Sequence, residues 1–159
     1  MDFKIPKSLA DEMPGFKQFI KDRIKSELPG WYQRQAIPPE FFREMGTARW
    51  YGIEVKEGRL FRGSALREAF VAEELAKVSP GVAVAALAHV DLGLMALLLF
   101  GSDNLKALYG NAAVMGETLM CLGNTERQAG SDVAGVEMRA QKIKGGWLLN
   151  GSAFSFKAL

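Results

Sequence analysis

Thr125-Glu126-Arg127-Gln128-Ala129-Gly130-Ser131-Asp132-Val133-Ala134-Gly135 is the stretch that decides how this chain is read. It follows the short apolar segment Leu119-Met120-Cys121-Leu122 and precedes a run in which Val136, Met138 and Ala140 alternate with Glu137, Arg139 and Gln141. Strict alternation predicts a half-buried strand. Lys144-Gly145-Gly146 then predicts a turn, and Trp147-Leu148-Leu149-Asn150-Gly151 the returning strand of a hairpin. A Thr/Gly/Ser-rich loop between strands aims backbone N–H groups and two hydroxyls at one place. Such a nest suits a phosphate or the polar edge of a flat cofactor.

Upstream the periodicity is helical. Phe16, Phe19, Ile20, Ile24 and Leu28 share one face, with Pro29-Gly30 expected to end that helix. A short helix is expected from Pro38-Pro39-Glu40 to Met45, then an irregular stretch from Thr47 to Gly63. Ser64 is expected to cap a helix burying Leu66, Phe70, Val71, Leu75 and Val78. Pro80 opens the next, and Ser102 caps a helix that is amphipathic through Leu105, Leu108 and Tyr109. From Glu117 the period changes to two. The fold class expected is α+β: an N-terminal helical bundle (1–116) followed by the first strands of an incomplete antiparallel β domain (117–159). The hairpin's unpaired edge predicts a fragment of a longer protein or a sheet completed by a partner.

Composition excludes several classes. Lysine plus arginine number 20 against 18 acidic residues, so no basic stripe for nucleic acid or a membrane surface is expected. Val82 to Phe100 is apolar enough to suggest a membrane span, but Asp91 near its centre would cost about 3 kcal/mol there. A buried bundle helix is expected instead. The single cysteine, Cys121, has apolar neighbours and is expected to be a buried thiol in a reducing compartment. With no apolar signal-peptide core after Met1-Asp2-Phe3-Lys4, a cytoplasmic location is expected. His89, the one histidine, has no second metal ligand at useful spacing and reads as a hydrogen-bonded core residue, so no metal site is expected. Leu92, Met95, Ala96 and Leu99 form an apolar stripe that reads first as core.

The 125–132 stretch resembles the signature of the acyl-CoA dehydrogenase flavoproteins, Thr-Glu-Pro-x-Ala-Gly-Ser-Asp followed by a strand and a hairpin ending in Asn-Gly, here Asn150-Gly151. Glu73-Glu74-Leu75-Ala76, Phe100-Gly101-Ser102, Lys106 and Gly116-Glu117 resemble the family's upstream markers in the same order, so the likeness spans roughly residues 38 to 151. The resemblance implies a helical domain, a middle β domain and a C-terminal helical domain, with FAD where they meet. It also implies α-proton abstraction from an acyl-CoA thioester and β-hydride transfer to flavin N5, giving a trans-2-enoyl-CoA in fatty-acid-type metabolism. Electrons would leave to an electron-transferring flavoprotein, from an enzyme that is a homo-oligomer.

Carried onto this sequence, the resemblance makes Leu122, Asn124, Thr125, Gly130, Ser131, Phe154 and Ser155 cofactor-binding candidates. Thr125 would donate to the flavin's N1–C2=O edge, where reduction builds charge. Ser131, Leu92, Met95 and Leu99 become substrate-binding candidates. Glu126 and Asp132 correspond to structural positions that brace the loop. No catalytic residue is expected within the chain, because the family's base is a glutamate of the C-terminal domain. The chain departs from the pattern at Arg127 (proline in the family), Asn124 (a small branched apolar residue), Leu122 (often aromatic) and Ser152-Ala153-Phe154-Ser155-Phe156-Lys157 after the Asn-Gly pair. Those departures leave two further readings: a flavin monooxygenase of the same fold, and a non-catalytic assembly subunit.

Overall fold

The structure is a computed structural model that describes residues 4–154. The chain divides into two compact units, the first running to Met120 and the second beginning at Cys121. The first is helical with one small hairpin. The second holds a Thr/Gly/Ser-rich loop and a two-stranded ribbon.

The first unit opens with helix α1 (Lys7–Phe19), which continues through a π-helical turn (Ile20–Lys25) into α2 (Ser26–Arg34). Pro29-Gly30 therefore does not end this helix, contrary to the sequence expectation. A proline crowds the carbonyl four residues back and leaves it without its donor. For Pro29 that carbonyl belongs to Lys25, at the close of the wide π turn, where the helical bonds are already re-registered. The chain stops instead at Gln35, whose left-handed φ of 51° closes α2.

Helix α3 (Pro39–Thr47) leads to a second difference. The stretch expected to be irregular contains a hairpin, β1 (Ile53–Lys56) paired antiparallel with β2 (Arg59–Arg62). Glu57 and Gly58, both at positive φ (51° and 72°), form its two-residue turn. Ser64 caps α4 (Ala65–Ala76) by accepting from the Arg67 N–H, as expected, although Leu66 faces solvent. Ser79 caps α5 (Pro80–Leu87) through Val82, and Ser102 caps α7 (Asp103–Val114) through Leu105.

Between α5 and α6 (Met95–Phe100) the chain passes through a second π-helical turn, Ala88–Leu94. By length and apolar composition Pro80–Phe100 could cross a bilayer, a test that the core helix of a bundle also passes, and half of it is buried. Its inner face joins Phe16, Ile24, Phe41, Met45 and Leu75 in one core. Each such side chain contributes about 1.5–3 kcal/mol on burial.

Helix α7 corrects another expectation. Leu105, Leu108 and Tyr109 are exposed, and Gly110 and Ala113 are the buried positions. The helix approaches the hairpin through its small residues, with Leu60 lying against Gly110. Two more glycines let main chain meet main chain: a Cβ on Gly46 would overlap Met115, and one on Gly116 (φ +69°) would overlap Phe42.

In the second unit β3 (Arg139–Ile143) pairs antiparallel with β4 (Gly146–Asn150) across a turn at Lys144-Gly145. The return strand is where the sequence placed it. The outgoing strand starts later than expected, and every residue of both strands is exposed rather than half-buried. With every strand residue exposed, the alternation has no core to serve. The period-two reading from Glu117 yields no strand before Arg139, only an isolated bridge at Thr125. Cys121, expected to be buried, is exposed, as are its neighbours Leu119 and Leu122, because no element here gives the segment an inner face.

Candidate functional site

The 125–132 loop is organised around one carboxylate. Glu126 is 6% exposed, and its backbone N–H donates to the Ala129 carbonyl at 2.8 Å, closing a tight turn. Its Oε2 accepts from the Glu137 N–H at 2.9 Å and from Gln128 Nε2 at 2.6 Å; its Oε1 accepts from the Met138 N–H at 2.7 Å. The Glu137 N–H, with those of Met138 and the Gln128 amide, holds this carboxyl below the usual range. Those three bonds share out both oxygens of the carboxylate, two on Oε2 and one on Oε1. Glu126 ties the loop to the approach of β3, which is the bracing role its position implies. Gln128 shares that role and was not picked out in the sequence; its only signal is the i, i+2 spacing to Glu126.

Thr125 and Phe154 are the two candidate residues that the structure pairs directly. They form an antiparallel bridge, with the Phe154 N–H donating to the Thr125 carbonyl at 2.6 Å. That bond leaves the Thr125 hydroxyl outside the pairing. Leu122, Asn124, Thr125, Gly130, Ser131 and Phe154 are all exposed in the described structure, Phe154 at 62%. Around Gly130 the space is open: a Cβ there would meet nothing within 4 Å. Among the described residues no acceptor engages the backbone N–H of Gly130 or Ser131. Open donors on a braced turn fit the polar edge or phosphate of a cofactor. Asp132 precedes a 3-10 turn, Val133–Gly135, and its carbonyl accepts from the Gly135 N–H at 3.1 Å. Ser155 lies outside the described residues.

Of the substrate-binding candidates, Leu92, Met95 and Leu99 lie in the first unit and Ser131 in the second. Met95 packs on the core, but Leu92 and Leu99 are exposed, Leu99 at 62%, so the reading of that stripe as core fails for both. Their neighbour Phe100 is 85% exposed. The helix turns Gly93, Leu94 and Leu97 inward and leaves Leu92, Leu99 and Phe100 outside.

His89 is a satisfied core residue, as expected, at 2% exposure. Its Nδ1 accepts from the Met120 N–H at 3.0 Å and its Nε2 lies 3.0 Å from the Ala113 carbonyl. An amide can only donate, so Nδ1 carries no proton and Nε2 donates to Ala113. Burial lowers its pKa. No group of three His, Cys, Asp or Glu side chains among the described residues could hold a metal ion.

The model of the acyl-CoA dehydrogenase N-terminal domain matches residues 14–117. The chain belongs to the acyl-CoA dehydrogenase family. The family suggested by the 125–132 stretch is thus the one found, and the α+β architecture is that of its members. Benzylmalonyl-CoA dehydrogenase of Aromatoleum aromaticum is 27% identical over 95% of this chain and 40% of its own length. Glutaryl-CoA dehydrogenase of Desulfococcus multivorans is 30% identical over 96% of this chain and 40% of its own length. The solved FAD complex of PigA matches 98% of this chain and 42% of that chain, with a TM-score of 0.85 and 26% identity. The chain therefore spans about two fifths of the length of the acyl-CoA dehydrogenase relatives it matches.

Proposed function

We propose that the chain is the N-terminal portion and early middle domain of an FAD-dependent dehydrogenase acting on acyl-CoA thioesters. The observation that carries this reading is the braced turn: Glu126 holds it, while among the described residues the hydroxyls of Thr125 and Ser131 and the N–H groups of Gly130 and Ser131 stay open. The dehydrogenases and the FAD complex among the relatives support it.

Bound FAD supplies a two-electron acceptor for the β-hydride of the substrate. Thr125 would donate to the ring edge that gains charge, Gly130 and Ser131 would hold phosphate or the acyl-CoA, and Phe154 would offer an aromatic face to the flavin. Leu122 and Asn124 lie along the same segment. Leu92, Met95 and Leu99 offer apolar surface to an acyl chain. The α-proton is removed by a base that this chain does not supply; neither Glu126 nor Asp132 does so. An electron-transferring flavoprotein takes the electrons on, in a cytoplasmic homo-oligomer.

The test is to purify the full-length protein, record its flavin spectrum and add acyl-CoA thioesters without oxygen. Bleaching with formation of the trans-2-enoyl product supports the proposal. A protein that bleaches only with an external reductant and then consumes oxygen is the monooxygenase, a reading favoured by Asn124 and by the Ser152–Lys157 departure. A protein that takes up no flavin overturns both and leaves the assembly subunit.

A further inference from the structure

We propose that the helical unit carries a binding site for an amphipathic monocarboxylate, an apolar body ending in one carboxylate, with Arg49 as its anion anchor. The site is a cavity of about 400 Å³ lined by residues of α1, α3, β1, α4 and α7 and of the segment joining α3 to β1. All of them lie in the first unit. That size, with mostly apolar walls and a few polar groups, suits a small organic ligand. Gly46 and Met115 both line it, and the missing Cβ of Gly46 lets their main chains touch, so α3 and the end of α7 fix one wall before any ligand arrives. Apolar surface comes from Ile53, Val55, Val114, Met115 and the ring of Tyr51, whose hydroxyl already donates to the Phe42 carbonyl at 2.8 Å.

Five charged residues also line the cavity, and four of them are paired with one another. Arg67 binds Glu12 at 2.8 Å and lies over the Trp50 ring at 5.3 Å, and Lys56 binds Glu54 at 3.0 Å. Arg49, the fifth, is exposed and has no ion pair or side-chain hydrogen bond among the described residues. The lining therefore carries one uncompensated positive charge, which matches one carboxylate. A guanidinium grips a carboxylate through two parallel N–H donors, and Asn111 adds an amide to the same lining. The Arg49 backbone points the same way. Its N–H donates to the Gly46 carbonyl at 2.9 Å and its φ is +59°, the left-handed conformation that glycine takes most easily at a helix end. Backbone outliers of this kind gather at ligand-binding positions, and no contact of the Arg49 side chain within the fold accounts for this one. None of the lining residues is among the cofactor or substrate candidates, so the inference does not rest on the flavin reading.

Octanoate and octylamine share a chain and differ in the sign of the head group, whereas inorganic phosphate carries negative charge without a chain. The full-length protein, labelled at valine and methionine methyls, is titrated with each and followed by NMR at Val55, Val114 and Met115. Octanoate should shift these methyls saturably, and octylamine and phosphate at the same concentrations should not. Arg49→Gly should weaken octanoate binding by about tenfold or more. Its thermal midpoint should hold, because glycine adopts a φ of +59° without strain. Arg49→Glu should reverse the preference, admitting octylamine in place of octanoate.

Octanoate that leaves these methyls unmoved in the wild type overturns the proposal, a result that needs no variant. So does octanoate that binds Arg49→Gly as tightly as the wild type, which places it elsewhere on the protein. Phosphate that moves the methyls as octanoate does also overturns it, because a plain anion site needs no apolar walls.

Discussion

Glu126 reaches across the turn to Met138: its Oε1 accepts the Met138 N–H at 2.7 Å while the neighbouring Glu137 N–H binds Oε2 at 2.9 Å. One side chain thereby fixes both the turn and the start of the ribbon. Replacing it with glutamine removes the charge and turns one acceptor into a donor facing an N–H. Glu126→Gln should expose the Glu137 and Met138 amides to exchange and leave the helical unit unchanged, as read by hydrogen exchange.

The same contact sets a pH response. A carboxyl whose folded pKa lies below its ordinary 4.5 adds stability that is fully present above that pH. That contribution disappears as pH falls through the lower folded value. The loop amides should therefore lose protection on acidification below about pH 4.5, and the Glu126→Gln variant should lack that step.

Two groups on the central helix titrate in opposite senses. Burial lowers the His89 pKa, so the unfolded chain takes up the proton first. Its contribution is complete above about pH 6.5 and shrinks as pH falls toward the folded value. Asp91 is pushed up to about 7, first by burial and then by the Glu68 carboxyl beside it. There the folded state keeps a proton that the unfolded state has released, so stability declines as pH rises from the ordinary carboxylate range to about 7. Asp91→Asn should raise stability at pH 8 by roughly 0.5–1 kcal/mol, a small gain because Asp91 is open to solvent, and the thermal midpoint should rise with it. In that background the remaining loss of stability between about pH 6.5 and pH 5 should belong to His89.

Gly93 and Gly15 make a controlled pair. A methyl on Gly93 has nowhere to go but into the Met120 main chain, whereas one on Gly15, in the exposed interior of α1, meets nothing within 4 Å. Gly93→Ala should cost about 2–4 kcal/mol. Gly15→Ala should stabilise by about 0.5–1 kcal/mol through helix propensity. Urea midpoints for both variants check the sign and the size.

What the sequence revealed was mostly local chemistry. Ser64, Ser79 and Ser102 announce their helices because a cap needs only its own next three residues. The Thr125–Asp132 turn was legible for the same reason, since its brace, Glu126, and its open donors lie within one short stretch. The hairpin at Ile53–Arg62 stayed hidden because four-residue strands show too little alternation and Glu57-Gly58 is a weaker turn signal than Asn-Gly. Pro29 misled because a π turn upstream, invisible to a period count, had made room for it. The exposed Leu99, Leu105 and Leu108 misled because periodicity finds an apolar face without saying whether anything covers it. His89 was placed in the core correctly, but its partners lie 24 and 31 residues away, beyond any local pattern.

Three of the tightest contacts in the helical unit, at Gly46, Gly93 and Gly116, press chiefly on peptide carbons and oxygens. Every amino acid carries those atoms, so the fit there is blind to the identity of Val114 or Met115 and intolerant only of added bulk on the glycine. A saturation scan should accordingly reject every side chain at the three glycines, while each gripped residue answers only to what its own side chain packs on, which for Phe42 is the core. For anyone redesigning this protein, the freedom to recode lies in the segment that is gripped, and the constraint lies in the hand that grips it.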